Sequence, residues 1–438
     1  MTLTVAALAA GAVACTPAGP HGPSVSGSQV SGRSATPGRG ADEQGRKVQK
    51  LAEPARPTGP APSEETAPSE ESAADDGVLR PATRPAVRRS ISLGLEDVAG
   101  TDQNWDQIAE RFDAAGITSV HLSAGRVEFT AFDWAAHPEA AAEPGEDHLA
   151  TAIEHVGRMP DGSPREVSIM IDVLVPSWIA ADPSLAGQDA RGRRAEYVPS
   201  ATALLHGPVG ERYIDYLIAV AERYRPDQIA FSELAFDDET FGPEDLALYR
   251  TMTGRADWPR DAGGDIAEDS PEVASWRSDV LARFLRRAHT ALGEVERRAG
   301  QEIRLATDVH VSWDDLAAGP AGVGHDYTEL APAVDELVLW AYLGTRGREP
   351  GDLADLTGAL DEMPLSNDRL TVSIGLWDEQ APTTADGDVP AISPELLASS
   401  VAEAQSEHVA VNVTPYSLMS PDHWTALHGI WGDADGGT

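Results

Sequence analysis

Eight short segments rich in apolar residues recur from residue 89 onward, with amphipathic helical patterns or long loops between them. The segments are Ile91–Glu96, Ser119–Gly125, Val167–Leu174, Gln228–Phe236, Arg304–Val311, Glu336–Tyr342, Leu370–Glu379 and Val409–Tyr416. Strands that alternate with helices predict a parallel sheet, and eight such units predict closure into a (β/α)8 TIM barrel. We expect the barrel to occupy residues 89–433.

Alternate residues of these segments differ in character. Successive strand side chains point to opposite faces of a sheet, and one set is apolar, as in Val167, Ile169 and Ile171. This set is expected to face the helices. The other set includes a polar or aromatic residue near the end of every segment and would point into the barrel. Because the carboxyl ends of the strands carry the active site in this fold, we predict a functional mouth there.

Carboxylates at these ends are the candidates for catalysis. Glu233 belongs to the fourth segment and Glu379 ends the seventh, so the two would face each other across the mouth. Asp308 and Asp237 offer other pairings with Glu233. Hydrolysis of a glycosidic bond uses two carboxyl groups, an acid with a raised pKa and an ionised partner. These four residues are the predicted catalytic set.

A further set of side chains near the strand ends is predicted to bind substrate, because aromatic rings stack on sugars while polar groups pair with hydroxyls. The set is Glu96, His121, Asp172, Asp238, His310, Trp340, Tyr342, Trp377, Asn412 and Tyr416. No phosphate loop, dinucleotide fingerprint or Gly-x-Ser-x-Gly motif stands out. We therefore expect no cofactor.

Two alternatives to a glycosidase stay open from the residues alone. The barrel could bind a glycan without cleaving it. It could also be a metal-dependent hydrolase or isomerase with ligands from His121, Asp172, Glu233, Asp308 and His310. No His-x-His or His-Glu-x-x-His spacing supports a metal, so none is expected.

The chain is strongly acidic, with 33 Lys and Arg against 71 Asp and Glu and a formal net charge of −38. This balance argues against nucleic acid or an anionic membrane surface as a partner, because phosphate groups require a basic surface. It suits a neutral or cationic partner, such as a polysaccharide or oligosaccharide, and good solubility. We expect a monomer.

The amino-terminal segment indicates export. The apolar run Leu3–Ala14 ends in small residues before Cys15, the only cysteine. The run is too short to span a bilayer as a helix and has the form of an export signal. It resembles the lipobox of bacterial lipoproteins, which implies lipidation at Cys15 and a location on the extracellular face of the membrane, or secretion. Residues 16–88, rich in Pro, Gly, Ser and Glu, are expected to form a disordered tether.

The region Phe231–Pro259 resembles a group of glycoside-hydrolase-like TIM barrels, many of them exported bacterial lipoproteins. The residues that carry the resemblance are Ser232-Glu233, Asp237-Asp238-Glu239, Asp245 to Arg250, Thr253 to Pro259, Trp276-Arg277, Gly324-His325-Asp326-Tyr327 and Trp340-Ala341-Tyr342. The barrel domain attached to some exported polysaccharide deacetylases is similar in outline. The resemblance implies a glycoside hydrolase that acts on an extracellular or cell-wall polysaccharide.

Overall fold

The structure is a computed structural model that describes residues 88–363, 365–383, 389–405 and 409–432. The predicted export signal, Cys15 and the predicted tether up to residue 87 lie outside the described residues.

Eight parallel strands form a closed barrel in chain order, each hydrogen-bonded to the next and the last to the first. They are β1 (Arg89–Leu93), β2 (Ser119–Ser123), β3 (Glu166–Asp172), β4 (Gln228–Ser232), β5 (Arg304–His310), β6 (Glu336–Trp340), β7 (Leu370–Gly375) and β8 (Ala410–Thr414). The predicted (β/α)8 barrel is confirmed. The predicted carboxyl ends of the strands were too late, because the loops of the mouth begin earlier than the apolar pattern suggests.

One main helix follows each strand on the outside of the barrel. These helices are α1 (Trp105–Ala114), α2 (His148–Val156), α3 (Pro208–Tyr224), α4 (Pro271–Ala299), α5 (Tyr327–Leu330), α6 (Gly351–Asp361), α7 (Pro394–Ala404) and α8 (Pro421–Leu427). Side chains such as Asp147 and Ser270 accept backbone N–H groups at the helix starts, and Pro208 and Pro271 open α3 and α4. No helix in the described ranges has the length and apolar character needed to cross a membrane.

The apolar faces of the strands pack against the helices as predicted. Ile169 and Ile171 are fully buried in one large core that includes Leu217 of α3 and Phe284 of α4. A separate small cluster fills the inside of the barrel and consists of Ala230, Ala306, Val338 and Met170. Small side chains at its centre leave the space toward the mouth for polar groups.

A buried ion network closes the amino end of the barrel. Glu336 accepts hydrogen bonds from Arg88 at 2.8 Å and from Arg304 at 3.2 Å, and Arg304 also pairs with Glu166. Burial alone would raise the pKa of Glu336, but the two arginines lower it to about 2. Charges are tolerated inside a protein when they are paired in this way. The network therefore forms the polar layer at the end of the barrel opposite the mouth.

Candidate active site

Four carboxylates from three neighbouring strands meet at the carboxyl end of the barrel. Asp172 is the last residue of β3, Glu233 directly follows β4, Asp237 lies in the loop after β4, and Asp308 belongs to β5. Burial raises the pKa of Glu233 to about 8, and the negative charges of Asp172, Asp308 and Asp237 add to this shift. The pKa of Glu233 therefore lies above that of Asp308, which is raised to about 7. A neutral Glu233 at pH 7 can donate a proton.

The Glu233 side chain is exposed to solvent, although its carboxyl group lies among protein atoms. The residue is exposed in the mouth, yet protein atoms surround its carboxyl group closely enough to disfavour the anion. A carboxyl group with this combination remains accessible to a ligand while it holds its proton. Such a raised pKa is typical of a general acid.

Asp172 and Asp308 have different surroundings. Burial raises the pKa of Asp172, while the backbone N–H of Leu174, 3.0 Å away, and Arg126, 3.9 Å away, favour its anion. Asp308 is only 8% exposed, and burial raises its pKa to about 7 against the effects of the Ser232 and Trp340 side chains. Asp172 is the more accessible partner, with a third of its side chain exposed.

The backbone around Glu233 is strained. Glu233 has a φ of 59° and Asp237 a φ of 44°, in the left-handed region that non-glycine residues rarely adopt. The one other described non-glycine residue with positive φ is Arg225, which ends α3. Left-handed backbone at Glu233 explains why β4 ends at Ser232 and not at Phe236 as predicted. Strain of this kind, about 1–3 kcal/mol per residue, clusters at functional sites and must be held by the surrounding structure.

The segment 320–327, here called the brace, holds this loop from the β5 side. The ring of His325 accepts a hydrogen bond at Nδ1 from the His310 backbone N–H at 3.0 Å, and its Nε2 donates to the Leu234 carbonyl at 2.9 Å. Because a backbone N–H can only donate, Nδ1 carries no proton and Nε2 does. Burial lowers the pKa of His325 to about 3, so the ring stays neutral. The Val323 carbonyl accepts a third bond, from the Phe236 N–H at 3.1 Å.

Arg277 of α4 holds the far part of the same loop. Its fully buried guanidinium donates to Thr240 Oγ1 at 2.9 Å and to the Gly322 carbonyl, and it lies 5.1 Å from the Phe241 ring centre. The loop 233–241 is thus fixed to the brace at several points along its length.

Aromatic rings form an arc on the β5–β7 side of the mouth. His310 lies 5.1 Å from Trp340, Trp340 stacks on Tyr342 at 5.3 Å with 13° between the planes, and Tyr342 lies 5.2 Å from Trp377. The charges of Asp308 and Glu233 contribute to the raised pKa of Tyr342, after burial. The arc therefore adjoins the carboxylates, and its flat faces suit the apolar faces of sugars.

Comparison with known proteins gives a likeness of fold. No family model matches the chain, and no curated protein sequence matches it. The catalytic domain of a β-amylase from Paenibacillus polymyxa superposes with a TM-score of 0.52 at 12% identity, over 78% of this chain and 97% of that one. At this identity the likeness shows the fold alone.

Two further solved structures superpose less well. The spore cortex-lytic enzyme SleL of Bacillus megaterium QM B1551 has a TM-score of 0.44 at 8% identity, over 78% of this chain and 74% of that one. A chitinase from Chromobacterium violaceum ATCC 12472 has a TM-score of 0.41 at 13% identity, over 79% of this chain and 99% of that one.

Three of the predicted site residues are exposed outside the strands of the barrel. Glu379 stands in the loop after β7 and is not among the charges that raise the pKa of Glu233. Asp238 is exposed, 4.0 Å from Arg277. β1 ends at Leu93, so the prediction that Glu96 ends this strand is wrong: it is an exposed residue of the short helix Leu95–Val98. The catalytic or binding roles of these three residues stay predictions.

Three other predicted residues lie in the barrel interior or beside the helices. The Asn412 amide donates to Ser92 Oγ at 3.0 Å and Ser373 Oγ at 2.9 Å, inside the barrel. His121 is buried near the ion network, and burial lowers its pKa to about 4. Tyr416 follows β8 and packs on Phe112 and Trp424. Their contacts are structural, and binding roles for them stay predictions.

Arg126, Arg277 and His325 are functional candidates that sequence reasoning did not assign. The resemblance had singled out Arg277 and His325 without roles, while nothing local marked Arg126. In the described part of the chain, no three His, Cys, Asp or Glu side chains come together in an arrangement that could hold a metal ion. The ligand set of the metal-dependent alternative is therefore not assembled by these residues.

Proposed function

We propose that the barrel is a glycoside hydrolase that acts on an extracellular or cell-wall polysaccharide, with Glu233 as the proton donor. One observation carries the proposal: an accessible carboxyl group with a pKa of about 8 lies beside three further carboxylates at the barrel mouth. Glycoside hydrolysis needs a protonated acid and an ionised partner, and environments that push two carboxyl pKa values apart supply them.

In this proposal Glu233 gives its proton to the glycosidic oxygen as the bond to the anomeric carbon breaks. We assign to Asp172 the negative charge at that carbon: burial raises its pKa, but the Leu174 N–H and Arg126 both favour its anion. Water then adds its hydroxyl to the anomeric carbon, and its remaining proton replaces the one that Glu233 gave away. Asp308, held among Ser232 and Trp340, keeps the pKa of Glu233 high through its charge.

The aromatic arc supports a sugar substrate. Trp340, Tyr342 and Trp377 present flat rings beside the carboxylates, and sugar rings bury their C–H faces on such surfaces. The fold is also that of the catalytic domain of a β-amylase.

The experiment is an assay of new reducing ends against chitin, starch and peptidoglycan fragments. Glu233→Gln is expected to lower turnover about 10²- to 10⁴-fold, because general acid catalysis contributes that much. Glu211→Gln on the outer face of α3 is the matched control and should leave turnover unchanged. Glu379→Gln and Asp172→Asn identify the partner, since loss at Glu379 with Asp172 dispensable would contradict the assignment of Asp172. Full activity in Glu233→Gln would overturn the proposal.

Export belongs to the same proposal and rests on residues 1–88 alone. A lipid on Cys15 would hold the barrel outside the cell on a tether, where a polysaccharide substrate is found. Cys15→Ala is expected to move the protein from the membrane fraction to the medium. Retention of the variant in the membrane fraction would count against the anchor.

A further inference from the structure

A small hairpin after β2 carries an exposed aromatic ring, that of Phe129. The strands Gly125–Arg126 and Phe129–Thr130 pair antiparallel, with Arg126 directly opposite Phe129. Residues opposite each other in such a pair share one face. Phe129 is 46% exposed, and in the described residues only one other large hydrophobic side chain, Tyr197, is comparably exposed.

Arg126 shows which way this face of the hairpin turns. Its Nη1 atom lies 3.9 Å from Asp172 Oδ2 and its Nε atom 3.5 Å from Glu128 Oε2. Asp172 belongs to the carboxylate cluster, so the shared face of Arg126 and Phe129 adjoins the mouth.

The hairpin is held rigidly in this position. Gly125 has a φ of 86°, and a Cβ there would lie 2.1 Å from the Phe129 carbonyl oxygen, so only glycine fits. Glu128 Oε1 accepts the Trp178 N–H at 2.7 Å, which fixes the turn to the helix Pro176–Ala181. A ring on a rigid support loses little entropy when a ligand stacks on it.

The hairpin and the aromatic arc lie on opposite sides of the mouth. In a closed barrel of eight strands, β2 is diametrically opposite β6, and the arc is centred on Trp340 of β6. Glu233, Asp172 and Asp308 come from β3–β5, between the two surfaces.

We infer that a glycan chain lies across the mouth, with one sugar stacked on Phe129 and another on the aromatic arc. The barrel would then bind an internal stretch of polysaccharide and not a chain end alone. The inference extends the proposed function, but the binding it describes does not require that a bond be cleaved. Phe129 is accordingly a binding residue for a sugar distant from the reacting bond.

The test is calorimetric titration of the full-length Glu233→Gln protein with chitohexaose and maltohexaose and with the matching disaccharides. In that background, Phe129→Ala and Phe129→Leu should weaken hexasaccharide binding roughly 3- to 10-fold, because both remove the flat ring. Disaccharide binding on the arc should be unchanged, and Phe129→Tyr should restore the hexasaccharide affinity.

The inference would be overturned if Phe129→Ala bound the hexasaccharides as tightly as the Glu233→Gln protein does. It would also be overturned if the substitution weakened hexasaccharide and disaccharide binding equally, or if neither hexasaccharide bound. Hydrolysis by the wild-type protein is measured separately. Ring-dependent binding of hexasaccharide without any hydrolysis would overturn the glycosidase proposal and support this one.

Discussion

The Nε2 atom of His325 lies 2.9 Å from the carbonyl oxygen of Leu234, the residue that follows Glu233. The same ring accepts the backbone N–H of His310 through Nδ1. One buried imidazole therefore joins the strained turn at Glu233 to the end of β5, the strand that also carries Asp308.

Removal of this link is expected to affect the site and the fold together. His325→Ala leaves two buried backbone groups unpaired and a cavity, which should lower the free energy of unfolding by about 2–5 kcal/mol. His325→Gln can accept at its amide oxygen and donate at its amide nitrogen, so it should recover part of the loss. Urea unfolding and kcat are measured for both variants. A kcat of His325→Ala equal to wild type, at a temperature where it is folded, would refute a positioning role.

Substitution of Glu233 by Gln should increase stability in alkaline solution. Glu233 has an ordinary pKa of 4.5 and a folded pKa of about 8, so the folded protein keeps a proton that the unfolded chain releases. The stability linked to this group is full below pH 4.5 and declines as the pH rises through 8. Glu233→Gln removes the decline, and its melting temperature should exceed that of wild type at alkaline pH. A melting temperature of Glu233→Gln below that of wild type at alkaline pH would contradict the raised pKa of Glu233.

Neutralisation of Asp172 should shift the alkaline limb of activity. The limb reports ionisation of Glu233, whose pKa is raised by burial and then by the charge of Asp172. In Asp172→Asn the remaining activity should therefore decline at lower pH than in wild type. The measurement is kcat/KM across the alkaline range. A limb that stays in place would show that the two carboxylates do not interact.

Trp340 has two separable roles. Its ring stacks on Tyr342, and its side chain favours the anion of Asp308. Trp340→Phe keeps a ring but loses the indole N–H, so the pKa of Asp308 should rise, with a small change in KM. Trp340→Ala loses both the ring and the indole N–H. Its KM should rise roughly 3- to 10-fold, as expected for a lost stacking contact with the sugar. Equal KM values in the two variants would contradict a stacking role.

The sequence predicted the eight strands well because burial on the outer barrel face imposes an apolar alternation. The expectation that acidic residues lie near one another at the mouth follows from one rule, that the carboxyl ends of parallel strands share one rim, and the role of each acid stays a prediction. The strand ends were predicted less well. Nothing in the residue type of Glu233 signals a left-handed backbone, so β4 was extended past it.

Contacts between distant parts of the chain could not be predicted. The brace meets the loop after Glu233 through residues about ninety positions apart, as with His325 and Leu234. The alternation of side chains predicts that His121 and Asn412 point into the barrel. It does not predict how far from the mouth they lie, and both are buried in the barrel interior. Arg126 lies on a hairpin whose strands have two residues each, too few to show an alternation of apolar and polar residues in the sequence.

The most direct test of the account is the titration of the Glu233 carboxyl group itself. Carbon-13 NMR of protein labelled at the glutamate carboxyl carbons, with Glu233→Gln to assign the resonance, measures its pKa without any substrate. The account predicts a midpoint near pH 8, far above the ordinary 4.5. A midpoint close to 4.5 would mean that Glu233 is ionised at neutral pH, and it would contradict its role as the proton donor.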